Sequence, residues 1–463
     1  MTSTTFPPRA RTSAFVRSKI VVFGVISALA AGALSGACKA EATTGPTDTG
    51  GLFNIPMGVL LSDPGEAQGI ATNPTTGEVY IGVSGPMLGV NVVRDGVVSG
   101  FISVPDGASS LSYDQNSGLL FAAGYLTRHV ISMIDPGTGA VSTYSIGPDN
   151  APAEVAVDAV HQKVYIEGRG ADQETVTVFD ELTRTMGSPI VLSTIGTGGS
   201  GRPSSLTVDP YRQKVYALVA FPARSYGRVS VIDGATNSLD GTPIAVDPSA
   251  KNIALDPIAH HLEVASSAGV STYDTTTRTQ IGSPIAVGTG GALSVAADAS
   301  SHRVVAGTAD GQIAVITDST GHPSASAIPI GGPRLAQPQR MAVNERTGRI
   351  YSANGDSFWM SQLSLAAPVI TSAAVPRGRV GTDYVFTITA SGLPRPRFAV
   401  TGTPLYPWLT LDPATGTLSG TPPAAGTYSV DLSAQNGVGS DAAAHFDLVI
   451  ESSVRPCLPW LCF

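Results

Sequence analysis

One twelve-residue pattern is written seven times along this chain. It reads GIATNPTTGEVY from Gly69, SLSYDQNSGLLF from Ser110, EVAVDAVHQKVY from Glu154 and SLTVDPYRQKVY from Ser205. The remaining copies are NIALDPIAHHLE from Asn252, SVAADASSHRVV from Ser294 and RMAVNERTGRIY from Arg340. Each alternates apolar and polar residues, breaks at a turn, and resumes as a second run. That is the pattern of strand, tight turn and strand. The fifth position is Asn73, Asp114, Asp158, Asp209, Asp256, Asp298 or Asn344. Successive anchors lie 41 to 51 residues apart. A period of that size belongs to solenoids and propellers.

The first six copies continue into a third strand that ends in Asp, at Asp95, Asp135, Asp180, Asp233, Asp274 and Asp318. Turns rich in Gly or Thr follow, as hairpins require. A fourth short strand is clearest at 188–193, 242–247 and 283–288. Four strands in each of seven units predict an all-β chain with a seven-bladed β-propeller over 53–365. The seventh unit lacks a fourth strand of its own. The segment Asn54 to Ser62 has no partner of its own either, so it is predicted to pair near Trp359 to Leu363. Closure of that kind removes exposed sheet edges.

The repeat resembles the bacterial YVTN-type propellers, relatives of the NHL and lactonase-like propellers. The resemblance rests on the x-V-D-P turns and on Val79-Tyr80, Val164-Tyr165 and Val215-Tyr216. It implies a fold more than an activity, because propellers host many chemistries.

Charged residues make up only 13% of the 463, and glycines number 52. This suits an all-β protein full of tight turns. The formal net charge of −8 disfavours nucleic acid and docking on anionic lipid.

Residues 1–37 hold Arg9, Arg11, Arg17 and Lys19 with no acid, followed by the apolar run IVVFGVISALAAGAL. This reads as a signal peptide. Ser35-Gly36-Ala37 before Cys38 resembles a bacterial lipoprotein signal, which implies lipidation of Cys38. The same small residues fit ordinary signal-peptidase cleavage, and an uncleaved anchor is the third reading. Residues 38–52 read as a flexible tether.

Ala366-Ala367-Pro368 reads as a hinge, and 368–451 as a small β-sandwich of alternating strands. LTLDPATGTLSGTP (409–422) resembles the immunoglobulin-like domains of bacterial surface proteins. No cysteine pair lies inside it, so Trp408 and Tyr428 are expected to fill its core by packing. The tail, 452–463, carries Cys457 and Cys462, which export would allow to bond.

No constellation calls for a cofactor or a metal. The recurrent Asp and Asn anchors occupy one frame and read as turn-setters. His161, His260, His261 and His302 fall in turns between first and second strands. The glycine runs 196–201 and 288–291 lack the ending of a phosphate loop.

Two places remain. The start of each copy should ring a channel mouth, with Glu154, Asn252 and Arg340 among small polar groups. Glu154 and Arg340 stand there without forming an evident acid–base pair. The least repetitive loops, on units two to four, carry Tyr125, Arg128, Arg169, Arg202, Phe221, Arg224 and Tyr226. These are residue types that anchor interfaces. The expectation is an exported, surface-tethered, monomeric binding or scaffold protein for an envelope protein or glycan. The only membrane contact expected is a lipid anchor. The alternative is a lactonase-like or lyase-like enzyme acting on a small molecule at the channel mouth.

Overall fold

The computed structural model describes residues 51–56, 67–83, 87–124, 129–148, 150–169, 173–193, 204–221, 225–317, 324–329, 337–355, 359–372 and 374–452. Every regular element among them is a β-strand. No helix among them is long and apolar enough to cross a membrane. Cys38, Cys457 and Cys462 lie outside the described residues.

The repeat folds into seven sheets of four or five antiparallel strands. The second copy shows the plan. Ser110–Tyr113, Leu120–Ala123, Val130–Asp135 and Ala140–Ser145 pair in chain order. In the third and fourth sheets the fourth place is shared by two short strands. Thr185–Met186 and Ile190–Ser193 both pair with Glu174–Asp180. Ser238–Leu239 and Ile244–Ala245 both pair with Tyr226–Asp233.

The anchors make the turns for a local reason. Asn73 Oδ1 accepts the amides of Thr75 and Thr76 at 2.9 and 3.1 Å. Asp209 Oδ1 accepts those of Tyr211 and Arg212, and Asp256 Oδ1 those of Ile258 and Ala259. These side chains are buried, yet each Oδ1 is satisfied by the turn it closes. The Asp residues ending the third strands repeat the device. Asp274 Oδ1 accepts Thr276 and Thr277 amides at 2.7 Å each. Those hydrogen bonds hold its carboxyl below the usual range.

The packing runs between sheets. Tyr80 joins Ala71 and Val90 of the first sheet to Leu111 and Leu120 of the second. Tyr165 bridges the third and fourth sheets, and Tyr216 the fourth and fifth. Burying a side chain such as Phe121, which is fully enclosed, contributes about 1.5–3 kcal/mol. The last cluster unites Tyr351, Ala353 and Met360 of the seventh sheet with Ala67, Ile70 and Val79 of the first. Each sheet thus shares a core with the next, and the seventh shares one with the first.

The seventh sheet takes its fourth strand from the N-terminal side. Gly51–Pro56 pairs antiparallel with Trp359–Ser364, Asn54 opposite Ser361. The pairing partner is the expected one. The strand begins earlier than Asn54, and the expected stretch after Pro56 lies outside the described residues.

The segment expected as a hinge is itself a strand. Ala366–Ile370 pairs with Ala390–Leu393, one residue after the seventh sheet ends. Asn436 Nδ2 donates to the carbonyls of Ala366 and Pro394 at 2.7 and 2.8 Å. Leu365 and Leu393 pack against the core shared by the sixth and seventh sheets. Beyond that pair lie two further small sheets around Tyr384, Phe398, Leu418, Leu432 and Leu448. Trp408 stands edge-on to Tyr428 at 5.1 Å and to Tyr384 at 6.5 Å.

Candidate functional site

The starts of the seven copies converge. A cavity of about 350 Å³ is lined by Gly69, Ser110, Glu154, Ser205, Asn252 and Arg340, with the strand residues that follow them. β-Bulges lie beside several of these positions. The register shifts between Ala67 and Ile70, Pro152 and Glu154, and Pro338 and Arg340. A bulge re-aims a side chain at the end of a ladder, which accounts for Glu154 and Arg340 facing the cavity. The seventh member, Ser294, is fully buried and donates to the Pro338 carbonyl in the neighbouring sheet.

Glu154 and Arg340 meet directly, so the expectation of no evident pair is corrected. Arg340 Nη2 lies 2.7 Å from Glu154 Oε2, with side-chain exposures of 27% and 11%. The third and seventh sheets are not neighbours in the succession, so this bond crosses the cavity. Ser110 Oγ donates to Glu154 Oε1 at 2.7 Å and accepts the Val155 amide at 3.1 Å. The carboxylate therefore ties together the second, third and seventh sheets.

The other side of the ring is stitched likewise. Ser205 Oγ accepts from Asn252 Nδ2 at 2.9 Å and from the Ile253 amide at 3.1 Å. Asn252 Oδ1 accepts the Val295 amide at 2.9 Å. Each link joins one sheet to the next.

Of the interface residues expected on the loops, Tyr125, Arg128, Arg202 and Arg224 lie outside the described residues. Arg169 ends the second strand of the third sheet, half-buried. Phe221 and Tyr226 face each other across a hairpin, ring centroids 5.9 Å apart. The Arg228 guanidinium lies 4.9 Å from the Tyr226 ring centre and donates to the Leu192 carbonyl at 2.8 Å. Burial pushes the Tyr226 hydroxyl above its ordinary range, and Arg228 partly offsets this. Arg228 escaped the sequence reading because it falls inside a regular strand; its place two residues after Tyr226, on the same face, is the signal that could have found it.

The histidines serve turns and pairs. His161 Nδ1 lies 2.9 Å from Asp158 Oδ2, and His302 Nδ1 lies 2.7 Å from Asp256 Oδ2. His261, expected in a turn, begins the second strand of the fifth sheet. Among the described residues no cluster of three or more His, Cys, Asp or Glu is arranged to hold a metal.

A second cavity, of about 1230 Å³, lies where the fifth and sixth sheets meet Gly437. Glu263, the last residue of the fifth copy, and Arg303 line it.

Residues 367–451 match the family model described as "Putative Ig domain". The C-terminal segment is an Ig-like domain. Comparison with curated proteins finds no match. Among solved structures, the chain is similar to Kuenenia stuttgartiensis hydrazine synthase, with a TM-score of 0.54 at 13% identity. The superposition covers 66% of this chain and 97% of that one. At that identity the likeness concerns the fold alone.

Proposed function

We propose that this chain is an exported binding or scaffold protein, tethered at the cell envelope, that recognises a protein or glycan. In this reading the seven sheets are the blades of a YVTN-type β-propeller, the N-terminal strand completes the last blade, and the Ig-like domain extends the recognition surface. The observation that carries the reading is how the central ring spends its polar atoms. Glu154 accepts from Ser110 and forms an ion pair with Arg340, and Ser205 and Asn252 bond to each other and to the next sheet. A nucleophile or general base needs a lone pair aimed at substrate. Here Glu154 is held by the Ser110 hydroxyl and by the Arg340 charge, and the Ser205 and Asn252 oxygens accept from the next sheet, which favours a rigid frame that presents its loops. The basic and aromatic loop residues of an otherwise acidic chain favour an acidic partner.

Capture of isolated envelope fractions by the immobilised protein tests this. Replacing Arg202, Arg224 and Tyr226 together with Ala should abolish capture without lowering the melting temperature. Capture that survives this change but disappears on deleting 368–451 would move recognition to the Ig-like domain. Loss of cellular function in Glu154→Gln, with stability intact, would instead support the enzyme reading at the channel mouth.

A further inference from the structure

The seven copies end on Tyr80, Phe121, Tyr165, Tyr216, Glu263, Val305 and Tyr351. Five of these are aromatic, at most 2% exposed, and fill the space toward a neighbouring sheet. The fifth copy places a carboxyl there. Glu263 is 3% exposed, and the cavity of about 1230 Å³ lies between its sheet and the sixth. Where Tyr216 plugs the junction of fourth and fifth sheets, Glu263 leaves the next junction open. Repeat packing has no use for that substitution, because a buried carboxyl costs free energy that an aromatic ring does not.

The walls are largely hydrocarbon. Ile258, Ile281, Pro284, Ile285, Val304 and Ile316 line the space, and Ile258 and Ile281 are 56% and 43% exposed. The other titratable groups there already have partners. His302 lies 2.7 Å from Asp256, and Arg303 lies 3.7 Å from Asp298. His261 stands in register opposite Asp274. Glu263 has only a hydroxyl, Thr272 Oγ1, which donates to its Oε2 at 2.7 Å. Of the two carboxyls lining the cavity, Asp256 has the His302 imidazole and Glu263 has no Lys, Arg or His partner among the described residues.

We propose that this cavity binds a small organic amine, whose ammonium pairs with Glu263 while its apolar body lies along the isoleucine-lined wall. A cation completes the pairing that the chain omits, and the apolar wall favours an aliphatic or aromatic body over a hydrated metal ion. The unliganded carboxyl is pushed up to about 7, by burial first and by Asp256 further, against the Thr272 hydroxyl. Asp256, His261, His302 and Arg303 face the same space. Ammonium binding therefore releases a proton from Glu263 at neutral pH.

Isothermal titration of the full-length protein with 4-phenylbutylamine tests this, using 4-phenylbutanol and 4-phenylbutanoate as neutral and anionic probes of the same shape. The amine should bind one to one and at least tenfold more tightly than either probe. Its heat should change between buffers of different ionisation enthalpy, reporting the released proton. Glu263→Gln should weaken amine binding at least tenfold and abolish the buffer dependence. Glu263→Tyr restores the aromatic of the repeat, and should abolish binding while keeping or raising the melting temperature. The proposal is overturned if the alcohol binds as well as the amine, or if both variants bind the amine like the parent.

Discussion

Removing Arg340 should loosen the sheets it spans. Arg340→Met keeps most of the side-chain stem but deletes the charge 2.7 Å from Glu154 Oε2. Glu154 would keep the Ser110 hydroxyl at 2.7 Å as its remaining close partner. Breaking a fully buried ion pair by removing one member costs about 3–5 kcal/mol, because the other charge is stranded. An exposed pair is worth about 0–1 kcal/mol. With exposures of 27% and 11% on a cavity of about 350 Å³, this pair falls between those limits. We expect a loss of roughly 2 kcal/mol for Arg340→Met. Adding Glu154→Gln removes the stranded charge but keeps a hydrogen-bond acceptor for Ser110. The double variant should therefore recover about 1 kcal/mol relative to Arg340→Met. Urea denaturation followed by tryptophan fluorescence on all four proteins of the cycle gives the coupling. A loss below about 0.5 kcal/mol with no coupling would mean that the pair does not join the sheets and that the ring does not act as a rigid frame.

Two further perturbations probe the junctions. Burial first, and then the Asp114 carboxylate beside it, push the Glu181 carboxyl up to about 8. A folded value above the unfolded one means that its contribution is complete below about pH 4.5 and is lost as pH rises through about 8. Melting profiles from pH 5 to 9 should show this decline in the parent and a flatter course in Glu181→Gln; parallel profiles would refute it. A Cβ at Gly82 would sit 1.8 Å from the Ala108 carbonyl oxygen, where backbone must move. Gly82→Ala should cost about 3 kcal/mol by denaturant titration, at the upper end of overpacking penalties. Gly100→Ala, whose new Cβ would meet only Val92 Cβ at 3.9 Å, should stay near neutral, and equal costs would contradict the packing.

The architecture was legible because seven units solve one problem in one way. The oxygen of an Asp or Asn at a fixed frame position closes each first turn, so the strands of every copy fall at similar offsets from that anchor. The cavity-lining residues were legible for the same reason, as the frame positions that begin each copy. The bond between Glu154 and Arg340 was not. It depends on bulges before both residues and on the reach of two side chains across the cavity, neither of which local pattern encodes. The Ala366–Ile370 strand reads as a hinge in the sequence because proline and small residues resemble a linker, whereas pairing with Ala390–Leu393 is a tertiary choice. Glu263 was visible as a departure from the aromatic position, but its isolation from cations follows only from where His302 and Arg303 find their partners.

Closure by the N-terminal strand tests the account most directly, because the rigid frame depends on it. Gly51–Pro56 meets Trp359–Ser364 along six register positions. The measurement is amide hydrogen exchange over Trp359–Ser364 in chains that begin at residue 51 or at residue 57. The chain that begins at 51 should keep the protection and melting temperature of one that begins at 39. The chain that begins at 57 should lose protection across that strand and melt at a lower temperature. Equal protection and equal melting in all three would contradict closure by this strand, and with it the reading of the seven sheets as one closed frame.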